Sequence, residues 1–345
     1  MTELESRGQP AMKPDFLCAA LCLPALLAGQ ARQITPKTYH HTFSAAVPVL
    51  DKIRPGEIIA TKTIDAGGQD QQGAWVSQSP NPETGPFYVE GAQPGDGLAV
   101  RIRSLKMNRN FGWSSYRLLL NALMPEQVEG IYSDRYKQDL VRKGRNNLVP
   151  WDIDLAGGVL RLREPASARV KLEYPARPML GCIAVAAPGQ FAPTTGISGP
   201  YGGNLDYNEI REGAIVILPV YHPGALLFVG DGHALQADGE PLGTGIETSM
   251  DLEFSVELRK GAAPSGPRVE TSEELISIGS QPEFASSLDR ALQLATSDML
   301  RWLSGEYGLE PWAAHMLVGL HGRYQVVTVA GSLALRVPKR WLPKP

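Results

Sequence analysis

Short alternations of apolar and polar residues run through most of the chain. Residues 252–258 place an apolar side chain at every second position, and residues 98–102 repeat this pattern. A period of two predicts half-buried antiparallel strands. Residues 58–64 are also strand-like, and the turns at 54–57 and 93–96 each place Pro-Gly and an acidic residue just before a strand. The pattern therefore predicts a body built of β-strands.

The pattern changes to a helical period near the C-terminus. After a Gly- and Pro-rich stretch at 261–267, apolar residues recur every three or four positions over 284–303, which predicts an amphipathic helix. Pro311 is expected to open a second helix, and residues 324–337 to form a closing strand pair. We therefore predict a small α+β lobe over 263–345.

Composition supports a mainly β protein. The chain has 36 glycines and 28 prolines among 345 residues, a combined share above the average usage of about 12%. Such a high content of turn-forming residues does not suit a helical bundle or coiled coil. A net charge of −3 offers no basic field for a nucleic-acid partner. We assign the β body to residues 32–262, with an inserted β unit at about 103–173, where the chain is more polar and irregular.

The first residues resemble a secretory signal. An apolar run at 16–28 follows Lys13, and Gly29 and Ala31 are small residues at positions −3 and −1 of a cut after Ala31. The run is too short to span a bilayer. We predict a signal peptide over 1–31, no membrane span after its removal, and a periplasmic or secreted protein; an uncleaved apolar tail is the alternative.

Removal of the signal would leave one cysteine. Cys18 and Cys22 lie within the signal, and Cys182 lies in the mostly apolar segment 179–186. We therefore expect a buried packing thiol rather than a nucleophile, since a reactive thiol needs an electropositive, partly exposed site.

The densest group of polar residues is the segment 229–240. Asp231, His233, Asp238 and Glu240 lie there among three glycines. In an extended strand Asp231 and His233 would point to the same face, and carboxylate and imidazole groups are metal ligands. A turn network of acidic residues and glycines with a hydrogen-bonded histidine is the alternative.

Three further groups are candidates for chemistry. Gly202, Gly203 and Asn204 can form a turn whose amides face a ligand. Asp65 stands at a strand end, and Glu90 lies in an otherwise apolar strand just before a turn. A carboxylate in that position is either capped by backbone amides or kept for proton transfer with a raised pKa. Taken singly, each group also has a structural explanation.

Taken together, these segments resemble the acetamidase/formamidase family. Four segments match in order and spacing: 85–96, 202–206, 218–227 and 230–240. A run at 179–186 resembles the family as well. The resemblance implies hydrolysis of the C–N bond of small amides to a carboxylic acid and ammonia. It also implies a jelly-roll-like β-sandwich with a barrel-like β insertion and a small C-terminal α+β lobe, and a bound divalent metal, commonly zinc.

Three departures from the family leave the substrate open. Ala187 stands where the family usually has proline, Ala237 replaces a usual glycine, and a signal peptide is unusual for cytosolic amidases. An exported member could act on a different amide or on a lactam. A small amide substrate and a homo-oligomer remain the expected partners.

Amide hydrolysis requires a polarised carbonyl and a hydroxide, both of which a bound metal supplies. The candidate metal ligands are Asp65, Asp231 and His233, and His233 is also a candidate catalytic residue. His41 is a possible fourth ligand, although His40 and His41 could equally be a surface pair.

The remaining roles are proton transfer and oxyanion binding. Glu90 is the candidate proton shuttle. Asn204 and the amides of Gly202 and Gly203 are candidates to hold the oxyanion, with Asp206 as a further substrate contact. A non-catalytic, exported jelly-roll binding protein is the competing hypothesis.

Overall fold

The computed structural model describes residues 30–128, 141, 148–164, 169–281 and 287–343. Residues 1–29 of the predicted signal peptide lie outside the described part. In chain order the strands are β1 (Arg32–Gln33), β2 (Asp51–Ile53), β3 (Ile58–Lys62), β4 (Thr84–Val89), β5 (Gly97–Met107), β6 (Phe111–Ser115), β7 (Leu148–Asp154), β8 (Val159–Leu162), β9 (Glu173–Pro175), β10 (Met179–Ala184), β11 (Ser198–Gly199), β12 (Gly202–Asn204), β13 (Ile215–Pro219), β14 (Leu227–His233), β15 (Met250–Arg259), β16 (Arg268–Glu270), β17 (Glu274–Gly279), β18 (Arg323–Thr328) and β19 (Ser332–Pro338). The helices are α1 (Pro125–Val128), α2 (Leu288–Tyr307) and α3 (Pro311–His321).

Two large sheets form the body. The nine-stranded sheet has the order β1-β3-β15-β5-β13-β16-β17-β19-β18, and the six-stranded sheet has the order β11-β12-β10-β14-β4-β2. Apolar side chains from both sheets share one buried core, in which Phe87 packs edge-on against Phe254. Alternation in β15, whose exposed Asp251 and Glu253 flank buried Leu252, gives one apolar face to this core. The predicted β-sandwich is confirmed.

The inserted unit is an open sheet. Strands β6, β7, β8 and β9 pair in sequence order, with β6 and β9 at the two edges. The predicted barrel-like insertion is therefore wrong in its closure, because closure would need pairing between these two edges. A small core containing Trp151, Leu160 and Ile246 packs against this sheet.

The predicted C-terminal elements are present. Ser287 caps α2 by accepting a hydrogen bond from the Arg290 amide at 3.2 Å, and Gly308, with φ of 64°, follows the last turn, where glycine costs least. Position 284 of the predicted helix lies outside the described residues. Pro311 opens α3 as expected.

The two helices cover the outer face of the nine-stranded sheet. Trp302 and Leu303 of α2 pack there with Ile217 and Leu335 of the sheet. Strands β18 and β19 continue this same sheet, so the C-terminal lobe shares its backbone hydrogen bonds with the body. Within the described residues, no helix combines the length and apolarity needed to cross a membrane.

Candidate active site

The candidate site lies at the end of β14, in the middle of the six-stranded sheet. Asp231 and His233 are both buried there, two residues apart on one strand, as the sequence predicts. Asp231 adopts a φ of 54°, a left-handed conformation that is uncommon for a residue with a side chain and is often associated with functional sites. Cys182 on the neighbouring β10 pairs with Gly230 and is fully buried.

Hydrogen bonds fix the ring of His233. The Gln236 amide nitrogen donates to the Asp206 carbonyl at 2.6 Å, so its oxygen faces the histidine, 2.7 Å from Nδ1. The imidazole therefore donates a proton from Nδ1 to Gln236. This arrangement leaves Nε2 directed at the neighbouring carboxylates, as is typical of metal-binding histidines.

Two carboxylates face Nε2 of His233. The Asp231 Oδ1 atom lies 3.2 Å away and the Glu247 Oε1 atom 3.1 Å away. Glu247 comes from the segment before β15, where its backbone bridges to both Trp113 and His233. Its Oε1 also accepts a hydrogen bond from the Gly245 amide at 3.0 Å. Its Oε2 is buried without a hydrogen-bond partner.

A chain of polar side chains leads from this centre to the partly exposed side of the site. Asn204 is half-buried and donates to Oδ2 of buried Asp206. The Asn81 amide donates to Oδ1 of Asn204 at 2.5 Å. Oδ1 of Asp206 is buried without a hydrogen-bond partner. The structure thus brings together Asn204, Asp206, Asp231 and His233.

Glu83 completes the cluster from the other neighbouring strand. It lies just before β4, where its backbone pairs with His40. Both carboxylate oxygens are buried, with the thiol of Cys182 as a neighbouring hydrogen-bond donor. Glycines make the room for the acids: a Cβ at Gly230 would lie 2.1 Å from Oε2 of Glu83, and one at Gly181 would lie 2.5 Å from Oδ2 of Asp231.

The buried charged groups shift the pKa values of one another. Burial lowers the pKa of His233, but the negative charges of Glu247 and Asp231 raise it by more. The net pKa lies well above the ordinary value of a histidine. Burial raises the pKa of Asp231, but the charge and hydrogen bond of His233 outweigh this and hold it below its ordinary value. These opposite shifts favour an ion pair between Asp231 and His233.

Burial raises the pKa values of the other acids of the cluster. Burial, followed by the charge of Asp231, raises the pKa of Glu83 well above its ordinary value. Burial and the charges of Glu240 and Asp231 do the same for Asp206. Burial also raises the pKa of Glu240 to about 7 and that of Glu247 to about 8, although His233 lowers both. One imidazolium cannot compensate so many buried acids.

The donor set fits a divalent cation. Asp231, His233 and Glu247 place ligand atoms within 4.8 Å of one another, and Asp206, His233 and Glu240 form a second set that shares the histidine. Oxygen and imidazole donors suit zinc and other divalent ions alike. The unpartnered oxygens of Asp206 and Glu247 are what a cation would satisfy.

Two predicted metal ligands have other partners. Asp65 is fully buried, but its Oδ2 accepts from Arg109 at 2.5 Å and from Trp113 at 2.9 Å, and its Oδ1 accepts from two backbone amides. His41 is half-buried, with Nδ1 2.9 Å from the Pro80 carbonyl. Neither belongs to a set of three or more potential ligands within the described residues.

The predicted proton shuttle lies outside the cluster. Glu90 has a 46% exposed side chain and pairs with Arg54 at 3.3 Å. Gly202 and Gly203 lie in β12 between β11 and β10, where the backbone pairs with both neighbours. The structure thus brings neither Glu90 nor these glycines into the acid–histidine cluster.

Glu83 and Glu247 did not emerge from the sequence. Glu83 comes directly before β4, and Glu247 comes three positions before β15. An acidic residue just before a mostly buried strand is the one signal that could have indicated them, and it is a weak one. Glu240 was visible in the polar segment, without an assigned role.

Comparisons with known proteins identify relatives. A model of the acetamidase/formamidase family matches residues 184–287, which include Asp206, Asp231, His233 and Glu247. A protein named as a formamidase from Schizosaccharomyces pombe is 26% identical over 242 residues. The match spans 58% of this chain and 59% of that curated relative.

Solved structures of acetamidases share the fold. The acetamidase from Bacillus halodurans is 26% identical, with a TM-score of 0.73 over 90% of this chain and 98% of the other. The acetamidase from Yersinia enterocolitica gives the same identity and TM-score over 92% and 94%. These names support the prediction of an amidase, and together with the family match they confirm the resemblance of this chain to the acetamidase/formamidase family.

Proposed function

We propose that this protein hydrolyses the C–N bond of small amides, releasing a carboxylic acid and ammonia. The observation that carries the proposal is the buried cluster around His233, in which several carboxylate oxygens have no partner. Buried acids of this kind cost free energy in a merely structural protein, so their presence favours chemistry. The names of the relatives support the same reaction.

We propose that the cluster holds a divalent metal, with zinc as the first candidate. Asp231, His233 and Glu247 would hold it, and Asp206 and Glu240 form a second possible ligand set that shares His233. A bound divalent metal polarises a carbonyl and lowers the pKa of a coordinated water. Gln236 keeps the proton of His233 on Nδ1, so that Nε2 stays available as a ligand.

Glu83 replaces Glu90 as the proposed proton donor. Its carboxyl group is buried beside Asp231 and held neutral by a raised pKa, so it can give a proton to the leaving nitrogen and accept one from water. The side-chain amide of Asn204 accepts a hydrogen bond from Asn81 and donates one to Asp206. It therefore positions Asp206 rather than binding an oxyanion directly.

Burial of the site favours a small substrate. His233 and Asp231 are almost inaccessible, whereas Asn204 and Glu240 are half-buried and mark the side on which solvent meets the cluster. We propose formamide- or acetamide-like substrates, with longer amides and lactams as the comparison set.

The test is His233→Ala, with exposed His315→Ala as the matched control. Metal content, melting temperature and ammonia release are measured on both variants. We expect His233→Ala to fold, to lose metal, and to lose more than about 10²-fold in turnover, while His315→Ala resembles the wild type. A folded, metallated and active His233→Ala protein would contradict the proposal, and substrate binding without turnover by the wild type would favour the binding-protein alternative.

We also propose that the protein is exported to the periplasm or secreted. The support is the apolar run at 16–28 with small residues before Arg32, the residue at which the first strand begins. N-terminal sequencing of protein from its own host should start at or near Arg32, and an intact Met1 or Met12 in the soluble fraction would contradict export.

A further inference from the structure

The outer face of α3 presents large apolar side chains to solvent. Trp312, Met316 and Leu320 recur every fourth residue and are 70%, 55% and 68% exposed. Side chains four residues apart share one helix face, so the three form a continuous stripe about 12 Å long. We call these three residues the α3 stripe. Single exposed apolar residues are ordinary, but a contiguous row of large ones marks an interaction surface.

The composition of α3 supports a covered outer face. None of its eleven residues is Asp, Glu, Lys or Arg, whereas a helix with one solvent face normally carries charges there. Of the α3 residues, Ala314 and Val318 are the ones buried within the described part of the chain. Gly319 lies on the exposed side, and nothing within 4 Å would meet a Cβ there. That glycine costs helix stability, and no described residue packs against it closely enough to require a glycine.

The apolar surface continues beyond the helix. Trp341 is 49% exposed and is held by the ring of His321, stacked 4.5 Å away. Leu320 and Trp341 both line a cavity of about 710 Å³ at the end of the α3 stripe. With roughly 200 Å² for each large side chain, the stripe and Trp341 expose roughly 500 Å².

We propose that the α3 stripe is a two-fold interface between two copies of this chain. Pairing two such surfaces would bury roughly 1,000 Å² from these side chains alone, which reaches the lower size of a specific interface. The uncharged α3 stripe meets its own copy without like-charge repulsion, and a two-fold interface requires such self-complementarity.

The spacing of the stripe defines the arrangement. Two α3 helices run antiparallel with the two-fold axis beside Met316, because Trp312 and Leu320 are equally distant from it in sequence. Trp312 of the partner subunit then packs against Leu320, next to the cavity that Leu320 shares with Trp341. Tryptophan is a common anchor residue of interfaces, and Arg340, 5.4 Å from the Trp341 ring centre, adds a cation beside the aromatic group.

Opposite charges at the axis test this arrangement. The Met316→Lys and Met316→Asp variants each place like charges across the two-fold axis, so each should be monomeric in analytical ultracentrifugation. Mixing the two variants places Lys against Asp and should restore dimers at concentrations where each alone is a monomer. Val49→Lys is the control, because Val49 is an exposed apolar residue two positions before β2, and this variant should remain dimeric.

Each other outcome overturns the proposal. A wild-type chain that is monomeric at all concentrations would assign the α3 stripe to a different partner. Dimers that persist in both Met316 variants would place the interface elsewhere. Monomeric variants that fail to recover on mixing, while retaining the wild-type melting temperature, would exclude a two-fold axis at Met316.

Discussion

At the scale of single residues, glycines decide whether the acids can come together. Gly181 and Gly230 lie on paired strands, and a Cβ at either position would meet a carboxylate oxygen of the cluster. Gly181 faces Asp206 and Asp231, and Gly230 faces Glu83. The absent side chains leave the space that the acids occupy.

Gly230→Ala should therefore disturb the site more than the fold. The added methyl group displaces the Glu83 carboxylate, and we expect turnover to fall about 10- to 100-fold, as for other supporting residues of catalytic sites. Gly196→Ala is the control, because nothing lies within 4 Å of its Cβ position. Ammonia release and melting temperature are the measurements. Wild-type turnover in Gly230→Ala would contradict this role of the glycine.

Part of the site was predictable at this scale. Asp231 and His233 share a strand, so a period of two was enough to place them together. Glu247 reaches His233, and Glu83 lies near Asp231, from chain segments that only the sheet order brings near, and no local pattern encodes that order. Glu90 has apolar neighbours in the sequence, yet its side chain is partly exposed and pairs with Arg54 at the surface.

At the scale of elements, an ion-pair network joins the last strands of the large sheet. Glu274 opens β17 and pairs with Arg336 of β19 and Arg323 of β18. Burial raises the pKa of Glu274, but hydrogen bonds and charges of the two arginines outweigh this and hold it below its ordinary value. A carboxylate with a lowered folded-state pKa stabilises the fold above its unfolded pKa and ceases to do so as pH falls through the folded value.

Glu274→Gln should therefore cost stability at neutral pH but little in acid. We expect the free energy of unfolding to drop by about 1–3 kcal/mol at pH 7, as for loss of hydrogen bonds to charged groups. The difference from the wild type should begin to shrink at about pH 4, near the ordinary pKa of a glutamate, and should disappear as the wild-type carboxylate is protonated in the folded state at lower pH. Melting curves between pH 7 and pH 3 measure this, with exposed Glu253→Gln as control. A difference that stays constant with pH would contradict the assignment.

Element types followed well from local periodicity. The alternation at 252–258 became β15, and the helical period became α2 with a glycine at its end. The open insertion did not follow, because barrel closure depends on whether β6 meets β9, and a strand pattern is the same at an open edge and in a closed ring.

At the scale of the whole molecule, three layers separate the proposed functions. The six-stranded sheet carries the acid–histidine cluster, the nine-stranded sheet shares its core, and α2 and α3 cover the far face of that second sheet. The interface proposed for α3 and the chemistry proposed for His233 thus lie on different layers. The β-sandwich followed from the family resemblance, whereas the packing of α2 and α3 on the outer face of the large sheet was not predicted, because periodicity describes elements and not their stacking.

The central claim is that amide hydrolysis occurs at the buried cluster with Glu83 as its proton donor. Ammonia release by Glu83→Gln and Glu90→Gln, measured side by side with metal content, tests it most directly. The account predicts that Glu83→Gln keeps its metal and its fold but loses about 10²–10⁴-fold in turnover, while Glu90→Gln matches the wild type. The claim would be contradicted by the reverse result, or by a Glu83→Gln protein that releases ammonia at the wild-type rate.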